Sequence, residues 1–320
     1  MDRLLSSKHD IRDDRPEQQF LFDRQLLQQR RQRIAARIAD HDFLLARLTD
    51  DFTDRLTLIK RQFPTAVNLG AHNGLLSRRL RILPQVGMMI DVDPCAAMLA
   101  QCDGPSLRAD EELLPFANGS LDLIASGLTL QWVNDLPGAL AQMRRALKPD
   151  GLLLAGLIGG MSLHELRDCM IRAEQQVEGG ASPRIAPFAD LRALGSLLQR
   201  AGFALPVADT DVVEVSYDNA LALMHDLRLM GAGNVMTARR RKPLRRQTLF
   251  RTAEIYAGRY GRADGRISAT FEIITLTGWA PHESQQQPLR PGSAKARLAD
   301  ALGVSEVSAG DKAAGGSSGG

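Results

Sequence analysis

The residues whose types and spacing could do chemistry begin in V-N-L-G-A-H-N-G, residues 67–74. Gly70 closes a short apolar run and Gly74 opens a helical one. Glycine at both places permits unusual backbone angles and lets a ligand approach main-chain N–H groups at a helix start. Asn68 and His72 stand on the same turn and complete its candidate ligand contacts. About 20 residues further on, at the end of the next apolar run, Asp93 sits where a carboxylate accepts from the two ribose hydroxyls of an adenosine cofactor. Asp91 is the alternative, and Asp93 before Pro94 also suits a helix N-cap. Past a third strand, R-A-D-E-E-L-L-P-F (108–116) offers Asp110, with Glu111 beside it, to receive an adenine amino group. A fourth strand, S-L-D-L-I-A-S-G (120–127), runs into L-T-L-Q-W-V-N-D-L-P, where Gln131, Trp132 and Asn134 could border a substrate pocket. Plain packing is the competing reading of Trp132. No residue declares itself as the catalytic group.

Positioning these residues at one edge requires strands that alternate with helices. The pattern predicts strands at 66–69, 86–92, 121–126 and 152–158, and helices at 75–83 and 136–147. Pro149-Asp150-Gly151 reads as the turn into the last strand. Such alternation implies a mostly parallel sheet that binds ligands beyond the carboxyl ends of its strands. Before it, residues 20–63 are helical in pattern and end at Pro64, with Arg30, Arg31, Arg33 and Arg37 assigned to a solvated face. After residue 160 come helices at 162–177, 190–201, 218–230 and about 245–260. Strands at 212–217 and 269–278 read as a terminal hairpin carrying a helical insertion. The division is then a disordered 1–19, a helical arm over 20–64, a Rossmann-like core over 65–160, a C-terminal half over 161–285 and a flexible tail over 286–320.

The 320 residues carry a net charge of only +3, so the whole-molecule field gives no case for nucleic acid. The basic cluster from Arg239 to Arg246 lacks interleaved aromatics; a solvated face, an acidic partner protein or phosphate suits it better than RNA. Three cysteines are too few for a disulfide framework and fit a reducing cytoplasmic compartment. No apolar run is long enough to span a bilayer, which leaves only peripheral membrane contact, and the N-terminus lacks a secretory signal. The six histidines form no two-histidine, one-carboxylate pattern, so no metal site is expected.

Taken in order, the four elements resemble the class I S-adenosylmethionine-dependent methyltransferases. The expected fold is α/β: a Rossmann-like class I methyltransferase sheet with an N-terminal helical arm and helical insertions before the last strand. Finer motifs narrow the resemblance: L-Q-W-V-N-D-L-P, L-K-P-D-G, G-G-M-S-L-H-E-L-R, E-G-G-A-S-P-R-I-A-P-F and A-T-F-E-I-I-T-L-T-G-W-A-P-H-E-S-Q. Together they resemble the bacterial counterpart of mitochondrial complex I assembly factor 5, over roughly residues 20–295. That resemblance implies S-adenosylmethionine as cofactor, a respiratory complex I subunit as protein partner, and hydroxylation of an arginine on it. A more distant resemblance, to the malonyl-carrier O-methyltransferase of biotin synthesis, implies methyl transfer to a small carboxylate; an assembly chaperone without catalysis is the third reading. The related turn is D-L-G-C-G-x-G, and this chain departs from it at Asn68, Ala71 and His72, as it departs at Gln131 from a histidine. Losing a charged acceptor for the cofactor's ammonium group costs on the order of 1–2 kcal/mol, so weakened cofactor binding is expected.

Overall fold

Asp23 opens the first described helix by accepting the Leu26 N–H at 2.9 Å, and α1 then runs over Arg24–Ile34. The computed structural model describes residues 20–286; the expectations for 1–19 and 287–320 lie outside the described residues. A 3-10 segment, Ala35–His41, leads into α2 (Phe43–Thr57). Leu44, Leu48, Phe52 and Leu56 recur there every fourth residue and are buried in one cluster with Ala66, Leu123 and Leu154. Each such side chain contributes about 1.5–3 kcal/mol by leaving water, so this stripe fastens α2 to the sheet.

The sheet is built from β1 (Phe63–Leu69), β2 (Val86–Val92), β3 (Ser106–Leu107), β4 (Leu121–Gly127), β5 (Leu147–Ile158), β6 (Ala204–Tyr217) and β7 (Ile267–Trp279). Its order is β3-β2-β1-β4-β5-β7-β6. The first five strands pair in parallel, and β7 runs antiparallel to both β5 and β6. Helices α3 (Leu75–Leu80), α4 (Ala96–Leu99) and α5 (Leu136–Ala146) connect the parallel strands. Helices α6 (His164–Glu178) and α7 (Leu191–Arg200) precede β6, and α8 (Ala220–Leu229) and α9 (Arg246–Tyr260) fill the hairpin between β6 and β7. This is the Rossmann-like sheet expected, with its helical insertions before the last strand. On the opposite face from α2, Leu140, Met143, Leu194 and Leu198 bury against Val67, Ile124 and Leu153.

Three local expectations fail for physical reasons. Pro64 does not end the helical arm: α2 stops at Thr57, and Pro64 is the second residue of β1. It is tolerated because β1 pairs with β4 only from Ala66 onward, so its missing N–H is not needed by the ladder there. Pro149-Asp150-Gly151 is no turn before β5 but a bulge inside it: pairing passes from Leu121↔Leu147 to Leu123↔Leu152, with Asp150 at φ 61°. Strand β6 starts at Ala204 rather than near 212, because it forms the sheet edge and its leading half alternates weakly, with Val207 half exposed.

Candidate functional site: an acid cluster capped by arginines

The carboxyl ends of β1, β2 and β4 meet at the turn 70–74. Gly70 (φ 73°) and Gly74 (φ 76°) take left-handed backbone there, as the spacing requires. A Cβ on Gly70 would collide with the side chain of Thr129, so the close approach that demands glycine is to the loop after β4. The turn's N–H groups are engaged within the protein. Those of Gly70 and Ala71 donate to the Val92 carbonyl at 2.7 and 2.9 Å, and that of His72 donates to Asp93 Oδ2 at 3.1 Å.

Asp93, one residue beyond β2, is fully buried and also accepts the Cys95 N–H at 2.8 Å. Burial pushes its carboxyl up to about 6, and the Glu111 charge adds to this, against the pull of Arg31 and the two backbone donors. His72 is buried with φ 50°, and its Nε2 lies 3.1 Å from the Gly127 carbonyl at the tip of β4. Burial first, and then the Arg31 charge, drives its pKa down to about 3. The imidazole is therefore neutral at physiological pH and donates from Nε2 to that carbonyl.

Asp91 is a separate structural group one pleat below. It pairs with Arg81 at 2.7 Å and accepts from Ser77 and from Asn68 Nδ2, the latter at 3.0 Å. Asn68 also donates to Ser77 Oγ at 2.8 Å. Its amide nitrogen is thus committed to this network, while its Oδ1 is buried with no hydrogen-bond partner. The asparagine is a donor to Asp91, and an aspartate in its place would set two buried carboxylates together.

Asp110 and Glu111 follow β3, and both are gripped by the arm. Arg24 Nη2 bonds Glu111 Oε2 and lies 2.9 Å from Asp110 Oδ1; Glu111 is 2% exposed. Burial works against the Arg24 charge, but Glu111 and Asp110 outweigh it and hold the guanidinium above its ordinary pKa. One heptad along α1, Arg31 is 4% exposed, with Nη1 and Nη2 3.4 and 3.5 Å from Thr129 Oγ1. Thr129 in turn donates to Glu111 Oε1 at 3.0 Å. Arg31 thus caps the site, and its placement on a solvated face is corrected. Arg24, Leu27 and Arg31 share one helical face, and buried Leu27 between them was the available sequence signal.

Of the pocket candidates, Trp132 and Gln131 line a cavity of about 660 Å³ that also touches His72 and Arg31. Trp132 is equally a packing residue, edge-on to Phe22 at 5.4 Å and to Phe188 at 5.8 Å. Gln131 donates to the Leu128 carbonyl at 2.8 Å, while its Oε1 is buried with no hydrogen-bond partner. Asn134 does not border the cavity: its side chain accepts the Phe22 N–H at 2.8 Å and donates to the Phe22 carbonyl at 3.1 Å, clamping the arm. In the basic cluster, Arg239 pairs with Asp23 at 3.1 Å and Arg240 with Glu178, so part of that charge is internal. Among the described residues no group of three or more His, Cys, Asp or Glu could hold a metal ion, and no helix is long and apolar enough to cross a membrane.

The chemical set matches an adenosine site in kind. Asp93 offers acceptors for ribose hydroxyls, and Asp110 and Glu111 offer acceptors for an amino group. It suits a guanidinium as well, since Arg24 is paired with Asp110 and Glu111 there. Comparison with known proteins places the fold and the family. Residues 67–155 match the methyltransferase-domain family. The chain is 36% identical to the mitochondrial arginine-hydroxylase NDUFAF5 of Danio rerio, over 88% of its own length and 89% of the relative's. It is 39% identical to the human protein, over 86% and 81%. A malonyl-[acyl-carrier protein] O-methyltransferase from Laribacter hongkongensis is 32% identical over 81% of this chain and 90% of the relative. Among solved structures, the Bacillus protein YcgJ shares the fold with TM-score 0.52 at 14% identity, covering 74% of this chain and 99% of that one. The sheet order, the methyltransferase domain and the near full-length likeness to NDUFAF5 agree, and the chain belongs to the NDUFAF5 arginine-hydroxylase family within the class I S-adenosylmethionine-dependent methyltransferase superfamily.

Proposed function

We propose that the protein modifies an arginine of a respiratory complex I subunit during assembly, working from a methyltransferase-like site that S-adenosylmethionine enters only when α1 gives way. The observation that carries this reading is the cluster of Asp93, Asp110 and Glu111 beneath Arg24 and Arg31. A site whose carboxylates already stabilise the Arg24 guanidinium of its own chain offers a partner's arginine the same charge-assisted contacts. When bound, the cofactor supplies an electrophilic sulfonium methyl. Asp93 would hold its ribose, Asp110 or Glu111 its adenine amino group, and Gly70 and Gly74 would keep the turn's shape. Because Arg24 is paired with Asp110 and Glu111 and Arg31 packs over the site against Thr129, cofactor binding is weakened by the energy of undocking the arm. Trp132 and Gln131 wall the neighbouring cavity.

Mass spectrometry of complex I subunits from cells with and without this protein tests the reading. A protein-dependent gain on one arginine of one oxygen identifies hydroxylation, and a gain of one methylene identifies methyl transfer. Arginines of unchanged mass in every subunit would sink the proposal and favour an assembly role by surface contact alone. The carrier-methyltransferase relatives supply the second reading, a small carboxylate substrate, and a methylated carboxylate product in the same cells would select it.

A further inference from the structure

The cavity of about 660 Å³ beside the acid cluster shares Arg31 and His72 with it but has a different chemistry along the rest of its lining. Its volume falls within the range of small-molecule sites, roughly 300–1,000 Å³. The deep walls are apolar, formed by side chains such as Ile38, Leu128, Leu166, Met170, Met224 and Phe271. The charged residues that line it are unbalanced. Arg30, Arg33 and Arg228 all reach it, whereas its acidic side, Asp42, already accepts from Asn73 at 2.9 Å. Arg184, also on the lining, is paired with buried Glu174. His41 is paired with Asp226, which also accepts from Tyr217 at 2.7 Å.

Arg30 shows the imbalance directly. Its Nη1 donates to the Asn234 carbonyl at 2.8 Å, and no ion pair joins Arg30, Arg33 or Arg228 to a carboxylate among the described residues. Burial lowers the Arg30 pKa, and the charges of Arg239, Arg228 and Arg33 lower it further against a weaker pull from Asp23. Asp23 is itself bonded to Arg239 and to the Leu26 N–H. Cations gathered over an apolar chamber without counter-charge repel one another, and an anion placed among them relieves that repulsion.

We infer that this cavity binds a small amphiphilic carboxylate, its apolar body among Leu166, Met170 and Met224 and its anionic end between Arg30 and Arg228. The site differs from the acid cluster in sign as well as place: one receives guanidinium or hydroxyl donors, the other an anion. The inference concerns the docked arm; it is independent of the arginine-modifying reading and deepens the second reading, a small carboxylate, without requiring methyl transfer. Displacing α1 would carry Arg30 and Arg33 away with Arg24 and Arg31.

Calorimetry of the full chain with decanoate as probe tests it, with decyltrimethylammonium as the same chain bearing a positive head and decyl phosphate as a second anion. Saturable one-to-one decanoate binding is expected, at least about tenfold tighter than the ammonium analogue, the worth of one charge-assisted contact. Equal or weaker binding of decyl phosphate keeps the carboxylate assignment; phosphate binding tighter by that factor overturns it. Arg30→Gln with Arg228→Gln should lose at least about tenfold for decanoate and leave the ammonium analogue unchanged. Met224→Trp, which fills the chamber without touching the cations, should abolish decanoate binding while circular dichroism stays native. Equal affinities for both heads, no saturation, or unchanged binding in the Met224→Trp protein would each overturn the assignment.

Discussion

If the arm competes with the cofactor, replacing Arg31 by methionine should strengthen binding of S-adenosylmethionine, and the structure gives the size. Arg31 meets Thr129 Oγ1 at 3.4 and 3.5 Å, long contacts whose loss costs little hydrogen-bond energy. Methionine keeps most of the buried stem, so packing against the strand tips changes little. What disappears is the cation that stabilises Asp93. A through-space charge effect without a direct ion pair contributes on the order of 1 kcal/mol, and a cofactor no longer opposed by it should bind about fivefold tighter. The gain depends on pH. Without Arg31, the Asp93 pKa rises further above about 6, so the carboxylate is ionised at pH 8 and increasingly protonated at pH 6. The gain should therefore be largest at pH 8 and shrink at pH 6.

The measurement is calorimetry with S-adenosylmethionine and its demethylated product at both pH values, with Arg37→Met, an exposed arginine of the same arm, as control. Arg24 is the poorer target, because Glu111 would be left buried without its partner at a cost of about 3–5 kcal/mol. If Arg31→Met binds the cofactor no tighter than wild type at pH 8, the arm is not the competitor. If it binds more weakly, Arg31 is itself a cofactor ligand and the competition argument fails.

Other consequences are equally specific. Asp93, raised to about 6, keeps a proton in the folded state that the unfolded chain loses near 4, so it lowers stability as pH rises from about 4 to 6. His72, lowered to about 3, lacks in the folded state a proton that the unfolded chain holds below about 6.5, so it raises stability as pH rises over that span. The two slopes oppose each other, each about 1.4 kcal/mol per pH unit. Relative to wild type, His72→Gln should make the urea midpoint fall as pH climbs from 4 to 6, and Asp93→Asn should make it rise; slopes of the same sign would refute the assignments. Gly70→Ala should destabilise by on the order of 2 kcal/mol or more, through its left-handed backbone and the overlap with Thr129, with Thr129→Gly restoring part of the loss. Asn134→Ala should free the Phe22 backbone and cost about 1–3 kcal/mol, read as faster proteolysis of the arm.

Local spacing carried the parallel half of the fold. Strand β2 lies where the apolar run put it, and Gly70, Gly74 and Asp93 stand at strand ends because turn chemistry and alternation are properties of neighbouring residues. The errors at the site are long-range. Asn134 looked like a pocket residue, yet its partner, Phe22, is 112 positions away. Arg31 looked solvated because arginines crowd α1 on every side, and only tertiary packing decides which face docks. Asp91 and Asp93 could not be separated by spacing alone; register separates them, since Asp91 pairs with Asn68 inside the ladder and Asp93 lies beyond it.

That register also changes the meaning of Asn68. A missing aspartate at this position suggests a lost ligand, but the amide nitrogen belongs to a network of Ser77, Asp91 and Arg81, in which Arg81 is the paired cation. Asn68→Asp, which restores the related motif, would place a second carboxylate where the amide now lies 3.0 Å from Asp91 Oδ1. Both positions are buried, and like charges so close cannot both ionise cheaply. The variant should lose on the order of 2 kcal/mol at pH 8, and less at pH 5, where one of the two carboxyls keeps its proton. Its cofactor affinity should not improve, because the side chain faces the network below the strand tips. A variant that held wild-type stability at pH 8 and bound S-adenosylmethionine more tightly would return Asn68 to the cofactor site and overturn the network argument. The opposite result means that asparagine at 68 answers the charge of Asp91 and has no part in holding the cofactor.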